Sequence, residues 1–162
     1  MSAIDPLIEL NEKYAASFPG PRPKQPKLRM AVIACMDSRL DLFGALGLEI
    51  GDAHLIRNAG GCVTDDVLRS LAVSQRLLGT REVVLIHHTD CGMLNFDDEG
   101  FRATLAAESG VSPPWQVPGF TDVYADMRES VARVRGCGWI PHRTNVRGFV
   151  FDVATARLDE VS

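Results

Sequence analysis

The sequence has little that would let it cross a membrane or bind a nucleic-acid backbone. Its longest apolar runs, such as residues 30–36, are far shorter than the roughly 20 residues that a membrane-spanning helix needs. Lysine and arginine number 17 against 21 acidic residues, which gives a formal net charge of −4, so no excess of basic charge is available to attract phosphates. We therefore expect neither a membrane nor a nucleic acid as a partner. Of the 162 residues, 46% are apolar and 23% are charged, as in ordinary globular domains.

Cysteine is also scarce, and its spacing does not suggest a disulfide framework. The four cysteines are Cys35, Cys62, Cys91 and Cys137, scattered far more widely than in small secreted domains. The N-terminus has no basic region followed by an uninterrupted apolar run, so no secretory signal is expected. The sequence thus predicts a cytoplasmic protein whose reduced thiols serve as metal ligands, as catalytic groups or as core residues.

Short apolar runs alternate with segments of helical periodicity along most of the chain. The runs predict strands at residues 28–35, 53–57, 82–88 and 146–153, with a possible short edge strand at 158–161. Helices are predicted after Ser38, at 64–78 with Thr64 as the N-cap, at 97–109 and at 121–135. This alternation indicates an α/β fold with a mainly parallel central sheet of about four strands, the edge strand, and helices on both faces.

The first 27 residues have a different pattern from the rest. Apolar residues between Ile4 and Phe18 form an untidy helical stripe, and residues 19–27 contain four prolines, which suit an extended connector rather than a helix or a central strand. We therefore predict an N-terminal helical arm with its connector at 1–27 and one α/β domain at 28–162. A helix on such a spacer is suited to packing on a second subunit.

Polar motifs follow three of the predicted strands directly. CMDSR (35–39) follows the first strand, RNAGG (57–61) closes the second, and HTDCG (88–92) closes the third. Open parallel sheets bind their ligands beyond the carboxyl ends of the strands. The sequence therefore predicts that these motifs form one site.

A zinc ion is one ligand that this site could hold. His88 and Cys91 offer an imidazole and a thiolate from one turn, and Cys35 offers a thiolate from a neighbouring strand end; three protein ligands with one open position are typical of catalytic zinc. Alternatively, the cysteines are small buried hydrophobes and His88 is a core histidine, although this leaves the charges of Asp37 and Arg39 unexplained. In another alternative, Cys62 completes a closed, purely structural zinc site.

The motifs CMDSR, RNAGG and HTDCG, in this order and at these separations, resemble those of the β-class carbonic anhydrases over residues 28–93. The resemblance implies that Cys35, His88 and Cys91 bind one zinc ion per chain within a catalytic domain at 28–162. It also implies that Asp37 and Arg39 form a catalytic dyad and that Gly60 and Gly61 border the substrate pocket. A homodimer or a dimer of dimers is implied as well, with the N-terminal arm laid over the partner.

The activity implied is the reversible hydration of carbon dioxide to bicarbonate and a proton by zinc-bound hydroxide. Asp37 would orient the nucleophile, and Arg39 would hold the Asp37 carboxylate through a charge-assisted contact. Hydrolysis of carbonyl sulfide or carbon disulfide on the same scaffold is the alternative, since similar proteins use the same metal ligands for it. His54 and His142 are candidate proton shuttles, while His87 is expected to have a packing or supporting role.

Overall fold

The computed structural model describes residues 2–162 and has one five-stranded sheet. The strands are β1 (Met30–Cys35), β2 (Ala53–Asn58), β3 (Glu82–His88), β4 (Val146–Phe151) and β5 (Leu158–Val161). Their order is β2-β1-β3-β4-β5; the first four run parallel, and β5 pairs antiparallel with β4. The predicted mainly parallel sheet with an edge strand is confirmed.

Five α-helices and one 3-10 turn at Ala59–Gly61 connect or flank these strands. The α-helices are α1 (Leu7–Ala16), α2 (Leu42–Leu46), α3 (Asp65–Arg76), α4 (Asp98–Ser109) and α5 (Val123–Gly136). Helices α3 and α5 cover one face of the sheet, and α2 with neighbouring loops covers the other. Within residues 2–162, no helix has both the length and the apolar character needed to span a membrane.

Both faces of the central strands are buried because successive side chains point to opposite sides of the sheet. In β1, Ile33 packs into the layer beneath α3 and α5, whereas Val32 packs into the opposite layer. Strand β3 alternates in the same way, with Leu85 in the first layer and Ile86 in the second. Residues next to each other at the end of β3 therefore serve different faces of the sheet.

Several predicted element boundaries differ by one to three residues from those observed, and two of the differences lie close to the motifs. Strand β1 begins at Met30 rather than at residue 28 because Arg29 has a left-handed backbone conformation, with φ +51°, which no strand residue adopts. Ser38 does not start the next helix; Asp41 caps α2, its carboxylate accepting a 3.1 Å hydrogen bond from the Gly44 backbone N–H. Residues 36–40 therefore form a loop.

The N-terminal segment contains the predicted helix, which does not pack on the domain, whereas the connector after it does: the Lys27 backbone N–H donates to the Gly51 carbonyl oxygen at 2.9 Å. Helix α1 has no buried residue, and the apolar side chains along it, among them Leu7 and Ile8, are more than half exposed. Met1, the first residue of the predicted arm, lies outside the described residues. The division into an arm at 1–27 and a domain at 28–162 stays a prediction.

Candidate metal centre and active site

Parallel pairing of β1 with β3 brings Cys35 close to His88 and Cys91. The register pairs Ala34 with Ile86, so Cys35 ends its strand close to His88, and the turn after β3 returns Cys91 to the same place. The ligand atoms of Cys35, His88 and Cys91 all lie within 4.8 Å of one another, and all three residues are buried. Within residues 2–162, no other group of three such side chains has this arrangement.

The three side chains fit a tetrahedral zinc ion. The two sulfur atoms are 4.0 Å apart, against about 3.8 Å for two sulfurs each bound at about 2.3 Å to one tetrahedral zinc. The Nδ1 atom of His88 lies 2.8 Å from the Thr89 carbonyl oxygen and donates to it, so Nε2 is the nitrogen without a proton when the ring is neutral. That Nε2 is buried and has no hydrogen-bond partner, as expected for an imidazole nitrogen that binds a metal.

The electrostatics of the two thiols also favour a cation. The pKa of Cys35 is lowered to about 4, first of all by its hydrogen bond with Cys91, although burial opposes the shift. The backbone N–H groups of Asp37 and Gly60 add to the lowering. The pKa of Cys91 is raised because its S–H group donates a hydrogen bond to the Cys35 sulfur and because the Cys91 thiol is buried. A cation between the sulfurs would remove this penalty on the second thiolate.

Asp37 and Arg39 form a close ion pair beside this cluster. The Arg39 Nε and Nη2 atoms donate to the Asp37 carboxylate at 3.0 and 2.7 Å, and the Arg39 backbone N–H donates at 2.9 Å. These contacts hold the pKa of Asp37 well below its usual range. One Asp37 oxygen lies 3.8 Å from the free His88 Nε2. The carboxylate is therefore ionised, and it borders the space in which an ion bound by Cys35, His88 and Cys91 would lie.

Arg57 has a structural role that the sequence did not reveal. Its Nε donates to the Cys35 carbonyl oxygen at 2.8 Å, and its Nη2 donates to the Asp37 carbonyl oxygen at 2.6 Å. It thereby fixes the backbone on both sides of Met36. The position of Arg57 in RNAGG, at the end of a strand next to β1, was the available signal, but it does not reveal which carbonyl groups the guanidinium binds.

The two glycines of RNAGG lie next to the metal-binding residues and pack closely against other parts of the chain. Gly60 and Gly61 have φ of +78° and +67°. A Cβ on Gly61 would lie 2.8 Å from the Cys35 backbone nitrogen and 3.0 Å from the Ile86 carbonyl oxygen. Gly61 is thus required for close packing of the turn against β1 and β3. A role of both glycines in bordering the substrate pocket stays a prediction.

Cys62 lies outside the candidate metal cluster, by which we mean the group of Cys35, His88 and Cys91. It is buried, and its Sγ lies 3.5 Å from the Pro118 carbonyl oxygen. Burial raises the pKa of Cys62 to about 12, so it is a protonated core thiol. The hypothesis of a closed site with Cys62 as fourth ligand is wrong because the described cluster contains only three donors.

The remaining histidines lie away from the metal cluster or face another side of the sheet. His87 is fully buried on the opposite face from His88, where its Nε2 hydrogen-bonds to Asp126 Oδ2 at 2.6 Å. His54 pairs in register with Ala31, four residues or about 13 Å along the strands from Cys35. The His142 backbone hydrogen-bonds to the Gln75 side chain. None of these contacts links His54 or His142 to the cluster.

Comparisons with known proteins agree with this geometry. The family model for carbonic anhydrase matches residues 30–115. Beta-carbonic anhydrase 1 of Mycobacterium tuberculosis (strain CDC 1551 / Oshkosh) is 49% identical over 100% of this chain and 99% of its own length. The crystal structure of carbonic anhydrase from Streptococcus mutans matches with a TM-score of 0.91 and 42% identity, covering 100% of this chain and 99% of that one. The chain belongs to the β-carbonic anhydrases.

Carbon disulfide hydrolases are also similar in sequence to this β-carbonic anhydrase, but their sequence matches cover less of the chain. The enzyme of Saccharolobus solfataricus is 48% identical over an alignment that covers 80% of this chain and 76% of its own length. The full-length match to the mycobacterial protein therefore describes this chain more completely.

The metal cluster predicts the zinc content of single variants. We expect Cys35→Ala or His88→Ala to reduce bound zinc from about one ion per chain to less than about 0.1, because two donors hold zinc far more weakly than three. Elemental analysis of purified protein measures this. Cys62→Ala removes a buried thiol outside the cluster and is expected to retain full zinc. Normal zinc content in both ligand variants would contradict the assignment.

The close packing of Gly61 predicts a stability effect. Gly61→Ala combines a positive φ with a backbone clash and is expected to lower the free energy of unfolding by about 2–4 kcal/mol. Gly138→Ala is the matched control, since an added Cβ there meets nothing within 4 Å, and should change it by less than about 1 kcal/mol. Urea denaturation of both variants measures the difference. Equal stabilities would rule out the close contact with β1 and β3.

Proposed function

We propose that this β-carbonic anhydrase catalyses the zinc-dependent, reversible hydration of carbon dioxide to bicarbonate and a proton. The observation that carries this proposal is a buried group of two thiols and one unpartnered imidazole nitrogen beside an ionised carboxylate. Three protein donors leave a fourth position for solvent, which is the pattern of catalytic rather than structural zinc.

We propose Cys35, His88 and Cys91 as the residues that hold the ion. A zinc ion bound there supplies a Lewis acid that lowers the pKa of water toward neutrality. The Thr89 carbonyl oxygen fixes the His88 tautomer through Nδ1, and the backbone N–H groups of Asp37 and Gly60 stabilise negative charge on Cys35. The protein thus holds its donors in their binding forms through contacts of the surrounding backbone.

Asp37 and Arg39 are proposed as the catalytic dyad. The Asp37 carboxylate accepts a hydrogen bond from the attacking water and directs an oxygen lone pair toward the substrate carbon. Arg39 binds both carboxylate oxygens, so Asp37 remains ionised and acts as an acceptor only. Arg57 contributes by fixing the carbonyl groups on both sides of Met36, which sets where the dyad loop leaves β1.

The choice of substrate gas is tested by comparing turnover on one preparation of known zinc content. We expect carbon dioxide hydration to exceed the hydrolysis of carbonyl sulfide and of carbon disulfide by more than about 100-fold in kcat/KM. Stopped-flow detection of the released proton measures the first reaction, and hydrogen sulfide formation measures the other two. Hydrogen sulfide release without bicarbonate formation would overturn the proposal in favour of the sulfur substrates.

The role of the dyad is tested by removing only the charge of Asp37. Asp37→Asn is expected to keep its zinc and lose at least about 100-fold in kcat, the range typical for weakening one oriented, charge-assisted hydrogen bond in the transition state. Asp41→Asn is the matched control: Asp41 directly follows the loop at 36–40 as the N-cap of α2, and asparagine also caps helices well, so activity should be unchanged. Full turnover by zinc-loaded Asp37→Asn would remove this carboxylate from the mechanism.

A homodimer, alone or paired into a dimer of dimers, is the proposed assembly, and the arm at 1–27 is proposed to pack on the partner's domain at 28–162. Helix α1 has exposed apolar side chains and no buried residue. A groove of about 620 Å³ lies beside edge strand β2, and its apolar lining includes Phe43, Ile50 and Val73. A second copy offers the apolar helix and the apolar groove together, which makes it the best-matched occupant.

The four cysteines are free, and the proposed ligands Cys35 and Cys91 must stay reduced to bind zinc. A reducing compartment keeps thiols in this form. We therefore propose a cytoplasmic location.

The arm predicts a change in assembly when its apolar face is made charged. The double variant Leu7→Glu/Ile8→Glu is expected to shift the protein from a dimer or larger assembly to monomer, because burying two carboxylates in an apolar groove is costly. Light scattering coupled to gel filtration measures the mass. Glu12→Gln, on the same helix, should leave the mass unchanged. A charged-arm variant with unaltered mass would contradict the proposed contact.

A further inference from the structure

The guanidinium group of Arg39 is bound along two of its edges. Its Nε and Nη2 atoms donate to the Asp37 carboxylate. Its Nη1 atom donates to Asp90 Oδ2 at 2.7 Å, and Nη2 also donates to the Asp90 carbonyl oxygen at 2.9 Å. Asp37 is two residues from Arg39 and Asp90 is 51 residues away, so the two contacts have different structural consequences.

The contact with Asp37 alone does not fix the dyad relative to the metal cluster. Both residues of the pair belong to the loop at 36–40, which forms no helix or strand, so their contact with each other does not connect this loop to the turn after β3. Asp90 lies in the turn between His88 and Cys91, the proposed ligands from the end of β3. The Arg39–Asp90 contact therefore connects the dyad loop to the turn that carries two of the three donors.

The backbone at Asp90 is arranged for this contact. Asp90 has φ +53°, a left-handed conformation that aspartate, asparagine and glycine tolerate better than other residues. With this conformation, both its carbonyl oxygen and its carboxylate reach Arg39. The Asp90 carboxylate is 79% exposed and is not one of the proposed metal ligands, so it is available to bind Arg39.

We propose that Asp90 is a positioning residue that holds Arg39 from the ligand-bearing turn and thereby keeps the Asp37 carboxylate directed at the metal centre. This inference rests on the proposed function and deepens it, since it names what orients the dyad. Asp90 itself does not touch the reacting atoms. Its effect passes through Arg39 to Asp37.

Two substitutions separate the carboxylate of Asp90 from its backbone conformation. Asp90→Gly keeps the positive φ accessible and removes the carboxylate, whereas Asp90→Asn keeps an acceptor oxygen and removes the charge. Asn95→Gly is the matched control, because Asn95 has φ +56° in the following loop and makes no hydrogen bond to Arg39.

The first measurement is side-chain hydrogen exchange at Arg39 Nε in the zinc-loaded protein, followed by ¹⁵N nuclear magnetic resonance. The spectrum of Arg39→Lys identifies the signal by its disappearance. We expect Asp90→Gly to accelerate exchange by about tenfold and Asp90→Asn by less, because a long exposed side chain that loses one anchor opens more often. Asn95→Gly should exchange at the wild-type rate.

The second measurement is steady-state kinetics at matched zinc content. Asp90→Gly is expected to lower kcat by about threefold to tenfold with KM unchanged, since orientation of the attacking group affects the chemical step and not the binding of substrate. Asp90→Asn should recover part of this loss. A merely structural role would instead reduce zinc content or stability in the variants, with no specific loss in kcat.

The two measurements separate the failure of this inference from the failure of the proposed function. Unchanged Arg39 exchange in Asp90→Gly overturns the positioning role, whatever the activity. So does a fall in zinc content that accounts for the whole loss of kcat. If the wild-type protein hydrates no carbon dioxide, the proposed function fails, and the exchange comparison still decides whether Asp90 positions Arg39.

Discussion

Two buried sulfur atoms 4.0 Å apart, next to an imidazole nitrogen without a partner, set the constraint on which the site depends. Each of these residues alone would be an ordinary core residue. Together they place more electron-pair donors in one buried site than the protein's own hydrogen bonds satisfy. Ionising both thiols without a cation is unfavourable, because two negative charges would lie 4.0 Å apart in a buried site. The surrounding fold maintains this imbalance, which a divalent cation relieves.

Close backbone packing is what allows the fold to maintain it. The cluster lies where the ends of β1 and β3 meet the turn through Gly60 and Gly61, and this turn approaches Cys35 too closely to admit a side chain at Gly61. Arg57 and Arg39 then bind the loop after β1 from two directions. Cys35 and His88 lie at strand ends and Cys91 lies in the turn after β3, while Arg39 and Arg57 bind Asp37. The sequence motifs thus mark packing constraints as well as chemical groups.

The sequence predicted the parts of this arrangement that depend on short-range patterns. His88 and Cys91 share one turn, Thr64 caps α3, and parallel strands place Cys35 at the same sheet edge. It did not predict that β1 starts at Met30, because the left-handed backbone of Arg29 depends on tertiary contacts. Nor did it predict the partners of Arg57, since a guanidinium on a long, flexible chain reaches many acceptors. Long-range side-chain contacts therefore had to come from the structure.

The geometry of Arg39 and Asp90 also indicates which parts of the site are able to distinguish carbon dioxide from carbon disulfide. Carbon dioxide and carbon disulfide are both linear, uncharged and attacked at the central carbon, so an ion held by Cys35, His88 and Cys91 offers little to distinguish them. A dyad that orients a nucleophile acts on either molecule in the same way. Discrimination must then come from the size of the approach to the site.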